Sequence, residues 1–174
     1  MASDAGAGLP DASVARSLAG VRIVGVRGAK VEDIKKLVAG LSNLGKFQVM
    51  TAGCVLGEEH ARFACFEALR SFGSGQNVTS SLPMEILVKA ACTTQISEAI
   101  ARIGVKSGCH DVVLVAVDAD EEAVLKAVAL LGGSVSSRPL RMSPVKRARI
   151  KELFSLSEPV EKVLLERIAL SSVG

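Results

Sequence analysis

The residues of this 174-residue chain that could do chemistry fall in a few short stretches. Gly40 to Lys46 reads GLSNLGK, the spacing of a phosphate-binding loop. Such a loop needs Ser or Thr directly after the lysine to hold Mg²⁺, and Phe47 follows here. It also needs a strand before it and a helix after it, so that amides at the helix start face the phosphates. The apolar spacing around 40–46 implies the reverse order, a helix ending and a strand beginning. Asp118-Ala119-Asp120-Glu121-Glu122 gathers carboxylates but lacks the glycine and the distal glutamate of a calcium loop. Acids at a helix start answer the helix dipole and explain the run without a metal. His60 lies beside Glu59, with Cys65 further along, but nothing supplies a third orienting group or an oxyanion donor. His110 belongs to no motif. These failures predict a protein that is not an enzyme and holds no metal or cofactor.

Cys54, Cys65, Cys92 and Cys109 form no CxxC pair, and with two histidines no zinc spacing arises. They read as small core residues of a protein kept in a reducing compartment, cytosol or nucleus. The net charge is only +3, which does not indicate a globally basic nucleic-acid binder. The basic charge is uneven, however. Arg138, Arg141, Lys146, Arg147, Arg149 and Lys151 follow one another with no acid between them. This stretch is either a solvated helix face or a set of phosphate contacts. Trp and Tyr are absent and the five Phe sit mostly on apolar faces, which argues against a base-stacking platform.

The elements that must position these residues follow from periodicity. VRIVGVR at 21–27 reads as a strand. Ile34, Leu37, Val38 and Leu41 recur at helical spacing over 31–44, and Gly45 stops that helix. Residues 47–56 form a weaker strand. A helix from Glu58 to about Phe72 buries Phe63, Phe66 and Leu69, and GSGQN at 73–77 breaks it. Ser81 caps a helix with Pro83 in its first turn, and Ile96, Ile100 and Ile103 continue as one stripe to Gly104. VVLVAV at 112–117 is apolar throughout, as in a central strand covered on both faces. Asp118 and Asp120 open a helix with Val124, Leu125, Val128 and Leu131 inward. Gly132-Gly133 ends it, and a short strand near Val135 follows. Ser143-Pro144 caps a basic helix and Ser157 the last one, which carries Val160, Val163, Leu164 and Ile168. The expected fold is α/β of the α+β type: a small mixed or antiparallel sheet of about four strands packed with several helices. Residues 18–174 form a single domain, and 1–17 form a disordered extension too poor in apolar side chains to order. The longest apolar runs are too short for a membrane span, and the N-terminus lacks a signal-peptide pattern.

Glu59-His60 with Ala64 and Ala68, then Asn77, Ser81, Glu85-Ile86-Leu87, Gln95-Ile96, Glu98-Ala99 and Gly104-Val105 follow in a specific order, ahead of the strand at 112–117. Glu166-Arg167-Ile168-Ala169-Leu170 closes the pattern. In this the chain resembles, over roughly 20–171, the TPRKB family, the small kinase-binding subunit of the KEOPS complex. It departs at Thr94, where many relatives carry a basic residue.

The resemblance implies a non-catalytic subunit that binds the atypical kinase/ATPase subunit and, through it, the threonylcarbamoyl transferase subunit. It implies support of the kinase's activity and help in capturing tRNA by its 3′ CCA end for threonylcarbamoyladenosine formation at position 37. A link to telomere maintenance and a place in cytoplasm and nucleus are implied as well. The helix pair at 83–103 carries more apolar side chains than a small sheet covers, so a docking surface is expected at or in front of Leu82, Ile86, Lys89 and Ala90. Candidate tRNA contacts are Arg62, Arg70, Asn77, Lys89, Thr94, Lys146 and Arg147. Arg62 and Arg70 are eight apart, on one helix face and away from the Phe residues. The rival readings are a stand-alone RNA-binding domain working through 138–151 and a small α/β enzyme working through His60 or the 40–46 loop.

Overall fold

The computed structural model describes residues 19–171, so the extension expected at 1–17 lies outside the described residues. In chain order the elements are β1 (Val21–Val31), α1 (Ile34–Leu44), β2 (Lys46–Thr51), α2 (Glu58–Ser74), α3 (Leu82–Ala90) and α4 (Ile96–Ile103). Then come β3 (Gly108–Val117), α5 (Glu121–Leu131), β4 (Ser134–Val135), α6 (Pro144–Leu153) and α7 (Val160–Leu170). Single 3₁₀ turns occupy Ala52–Cys54 and Arg138–Leu140. The strands form one antiparallel sheet in the order β2-β3-β1-β4. The fold is therefore α+β.

The central strand β3 explains its own composition. Val113, Val115 and Val117 face the larger core, built with α2, α3, α4, α6 and α7. Val112, Leu114 and Ala116 face the smaller one, built with α1 and α5. A strand covered on both faces has no room for polar alternation. β1 runs against it but changes phase midway. Val21 and Ile23 face the larger core and Val26 the smaller, and then Ala29 and Val31 face the smaller core as well. The change is a β-bulge: Val26 pairs with Val112 and Ala29 with His110, so Arg27 and Gly28 together oppose Asp111. Gly28 takes φ +65° there, and its amide donates to the Asp111 carboxylate at 2.9 Å. β1 thus extends past the stretch expected at 21–27. β2 is shorter than the expected 47–56, because Ala52–Cys54 tighten into the 3₁₀ turn.

Most helix ends follow the sequence signals. Ser81, Asp120 and Ser143 accept the amides of Met84, Ala123 and Lys146. Gly45 and Gly132 close α1 and α5. Ser157 does not cap the last helix: α7 begins at Val160 behind Pro159, without a side-chain cap. The inward face of α2 also differs from expectation. Ala61, Ala64, Cys65 and Ala68 are its fully buried apolar residues, while Phe63, Phe66 and Leu69 are only half-buried. Small side chains bring α2 close to α3, and the two Phe rings stack on each other at 6.0 Å towards the surface. Leu125 points outward, and Ala127 takes its place in the core.

Candidate functional site

The expected chemistry-bearing stretches are built into the frame of the fold. Gly40 to Lys46 ends α1 and opens β2, so no helix begins directly after it as a phosphate-binding loop requires. His60 is fully buried; its Nδ1 accepts the Leu56 amide at 3.0 Å and its Nε2–H donates to the Ala90 carbonyl at 2.9 Å. Both ring nitrogens are thereby committed to holding the entry to α2 against the end of α3. Burial pulls its pKa down to about 4, against the Ala90 hydrogen bond and with help from Lys146, so the ring is neutral. Burial pushes the Cys65 thiol up to about 12, against the nearby Arg62 charge, which leaves it a packing residue. Among the described residues, no group of three or more His, Cys, Asp or Glu is placed to hold a metal ion.

The residues expected at the kinase surface divide. Leu82 is half-buried, but Ile86, Lys89 and Ala90 lie in the core. α3 packs against α2, β2 and α4, which covers it on several sides. The surplus apolar surface is instead on its neighbours. Val38 on α1 is 52% exposed, and Ile96 and Ile100 on α4 are 42% and 45% exposed. Val38 and Ile100 reach one groove of about 200 Å³, walled also by Ile34, Leu41, Met84 and Val105. Its floor is Phe47, Gln48 and Val49 of the edge strand β2. Thr51 Oγ1 donates to the Gly104 carbonyl at 2.8 Å and pins the end of α4 to that strand.

The expected tRNA contacts are scattered. Arg62 pairs with Glu58 at 2.7 Å and Arg70 with Glu67 at 3.2 Å. Half-buried Phe66 sits between the two arginines at i+4 spacing, so this face is not free of aromatic surface. Asn77 is half-buried and donates to the Thr79 carbonyl at 2.8 Å, while Thr94 is exposed. Lys89 is 2% exposed and lies 3.7 Å from buried Glu85, out of reach of a phosphate. Lys146 is 8% exposed, and its Nζ donates to the Pro139 carbonyl at 2.7 Å. Arg147 bridges Glu158 and Glu161. What the 138–151 stretch does build is a second, open cavity of about 440 Å³, where Arg138, Arg141, Lys146 and Arg149 meet the Ala52-Gly53 turn.

Comparison with known proteins shows the family. Residues 28–173 match the family described as kinase binding protein CGI-121. The chain belongs to this family. It is also 35% identical, over 152 residues, to the regulatory protein Cgi121 of Methanocaldococcus jannaschii, covering 85% of this chain and 94% of that relative. The CGI-121 match begins at Gly28, the bulge residue, and takes in both the groove and the basic cavity. The family resemblance read from the scattered residues between Glu59 and Leu170 is thus shown.

Proposed function

We propose that this CGI-121 family member is a non-catalytic regulatory subunit of a KEOPS-type assembly that seats its kinase/ATPase partner in the groove between α1, α3 and α4. The observation that carries this reading is the exposure of Val38 and Ile100 on two different helices around one apolar floor. A kinase-binding family with a relative named a regulatory protein agrees with it. Ile86, Lys89 and Ala90 then act from behind, as the packed layer that fixes Met84 and the α3–α4 angle, and Leu82 stands at the edge. Through the kinase the chain is brought beside the threonylcarbamoyl transferase subunit, in cytoplasm and nucleus. Val38→Asp and Ile100→Asp change exposed positions, so folding is kept while a carboxylate enters the interface. Loss of kinase binding by tenfold or more in each variant is the expected result. Unchanged binding in the folded double variant would overturn the assignment of the groove.

The same reading includes help in recruiting tRNA by its unpaired 3′ end, through Arg62, Arg70, Asn77 and Thr94. The ion pair of Arg62 with Glu58 is exposed and weak, so that guanidinium can exchange a carboxylate for a phosphate at little cost, while the half-exposed Arg70 guanidinium can take up a phosphate without leaving buried Glu67. The purified chain should hydrolyse no ATP by itself. Steady hydrolysis that disappears in Lys46→Ala would favour the enzyme reading instead.

A further inference from the structure

The open cavity beneath the start of α6 concentrates positive charge that the protein itself leaves largely unanswered. Arg138, Arg141, Lys146 and Arg149 all line it. Asp111 is the one acid among the lining residues; it already accepts the Gly28 amide and stands 3.7 Å from Arg138. Arg141 donates to Ser137 Oγ at 3.2 Å and has no carboxylate within ion-pair distance among the described residues. The exposed Arg149 guanidinium lies over Gly53, so close that a Cβ added there would meet its Nη1 at 2.6 Å. Lys146 Nζ is held at the base of the cavity by the carbonyls of Pro139 and Arg141, at 2.7 and 3.4 Å, with no acid beside it. The first turn of α6 carries no acidic residue either, so its positive dipole end adds to the same field. Beside the cations runs an apolar wall of Ala52, Pro139, Met142 and Val145.

We infer that this cavity is a binding site for a nucleotide phosphate, with the sugar or base lying along the Met142–Val145 wall. Like charges gathered around one concavity repel each other, and a phosphate placed among them relieves that repulsion while matching the planar donors of Arg141 and Arg149. The volume lies in the range of small-ligand sites, and mixed polar and apolar walls are usual in them. Burial lowers the Lys146 pKa against the opposing pull of Cys54 and Asp111, and a bound phosphate would raise it again. The phosphate belongs either to a free mononucleotide or to the end of an RNA strand. Only in the second case does the inference rest on the tRNA reading above.

The test is a binding titration of the full chain with inorganic phosphate, AMP and a short unpaired RNA, at ionic strength matched with chloride. Amide shifts of Gly53 and Val145 report the site. Phosphate and AMP should shift these amides saturably, and chloride should not. Arg141→Gln with Arg149→Gln, both exposed positions, should weaken AMP at least tenfold, while the surface control Lys126→Gln should leave it unchanged. RNA that displaces AMP places the phosphate on a strand; RNA that does not leaves a free nucleotide as the ligand, whatever becomes of the tRNA reading. Shifts equal in chloride, or AMP affinity unaltered in the double variant, would overturn the site. So would shifts confined to other residues.

Discussion

Glu85 and Lys89 stand one turn apart on α3, 3.7 Å between Oε1 and Nζ, and both are buried. Glu85 does more than neutralise the lysine. Its carboxylate accepts the amides of Val78 and Thr79 and the Thr79 hydroxyl, at 2.8 to 3.2 Å, and so clasps the loop that leads from α2 into α3. Removing one member of such a pair leaves the other charge buried alone. Glu85→Ala should therefore cost about 3–5 kcal/mol in urea unfolding. Lys89→Met should cost less, because the carboxylate keeps its three donors. A loss under about 1 kcal/mol for Glu85→Ala would mean that the loop is held by something else.

Ile86 and Ile100 separate packing from docking. Ile86 is 1% exposed and Ile100 45%. Ile86→Asp should unfold the chain, since a lone carboxylate in the core costs several kcal/mol. Ile100→Asp should leave the melting temperature within a few degrees and remove kinase binding. Circular dichroism with a pull-down on the same preparations reads both. A folded, kinase-binding Ile86→Asp would show that α3 is not part of the core.

His60 makes the fold acid-sensitive in a calculable direction. Folded, the ring titrates at about 4; unfolded, it returns to the ordinary value near 6.5. Below pH 6.5 the unfolded chain binds a proton that the folded chain refuses. Stability is therefore complete above that pH and falls as pH drops towards 4, by on the order of 3 kcal/mol at the limit. Urea unfolding at pH 7, 5.5 and 4.5 should give a shallower acid limb in His60→Asn than in the parent. Parallel limbs would argue against a buried neutral ring.

Arg62 and Arg70 carry the RNA part of the proposal. Charge reversal at both, in the kinase-bound assembly, should weaken tRNA binding and lower the salt slope by about one for each phosphate that is no longer neutralised. Intact tRNA should bind better than tRNA lacking CCA. Equal affinity for the two, unchanged by the reversals, would leave docking as the chain's whole role.

Local signals carried most of the architecture. The apolar run 112–117 announced a strand covered on both faces, and Ser81, Asp120, Ser143, Gly45 and Gly132 marked helix ends, because each acts within a turn of its own position. What escaped depends on distant partners. The bulge at Gly28 is fixed by Asp111, 83 residues away. Glu85 and Lys89 have surface residue types, and only the 78–79 loop makes their burial affordable. Val38 and Ile100 have core residue types, and only the gap between α1 and α4 leaves them bare. The basic stretch was visible as charge. Its cavity was not, since Ala52, Gly53 and Asp111 come from other parts of the chain.

The bulge in β1 decides which way the rest of that strand faces. Its extra residue is what returns Ala29 and Val31 to the side already occupied by Val26. Flattening the bulge at constant length would swap odd for even beyond that point, sending Lys30 towards the smaller core and Ala29 and Val31 away from it, whereas deleting Arg27 together with the bulge would restore plain alternation and leave both where they are. Replacing exposed Arg27 by another polar residue changes almost nothing. Drift along this strand can therefore shed the bulge only by shedding one residue in the same step, and until then Asp111 keeps its hold on residue 28.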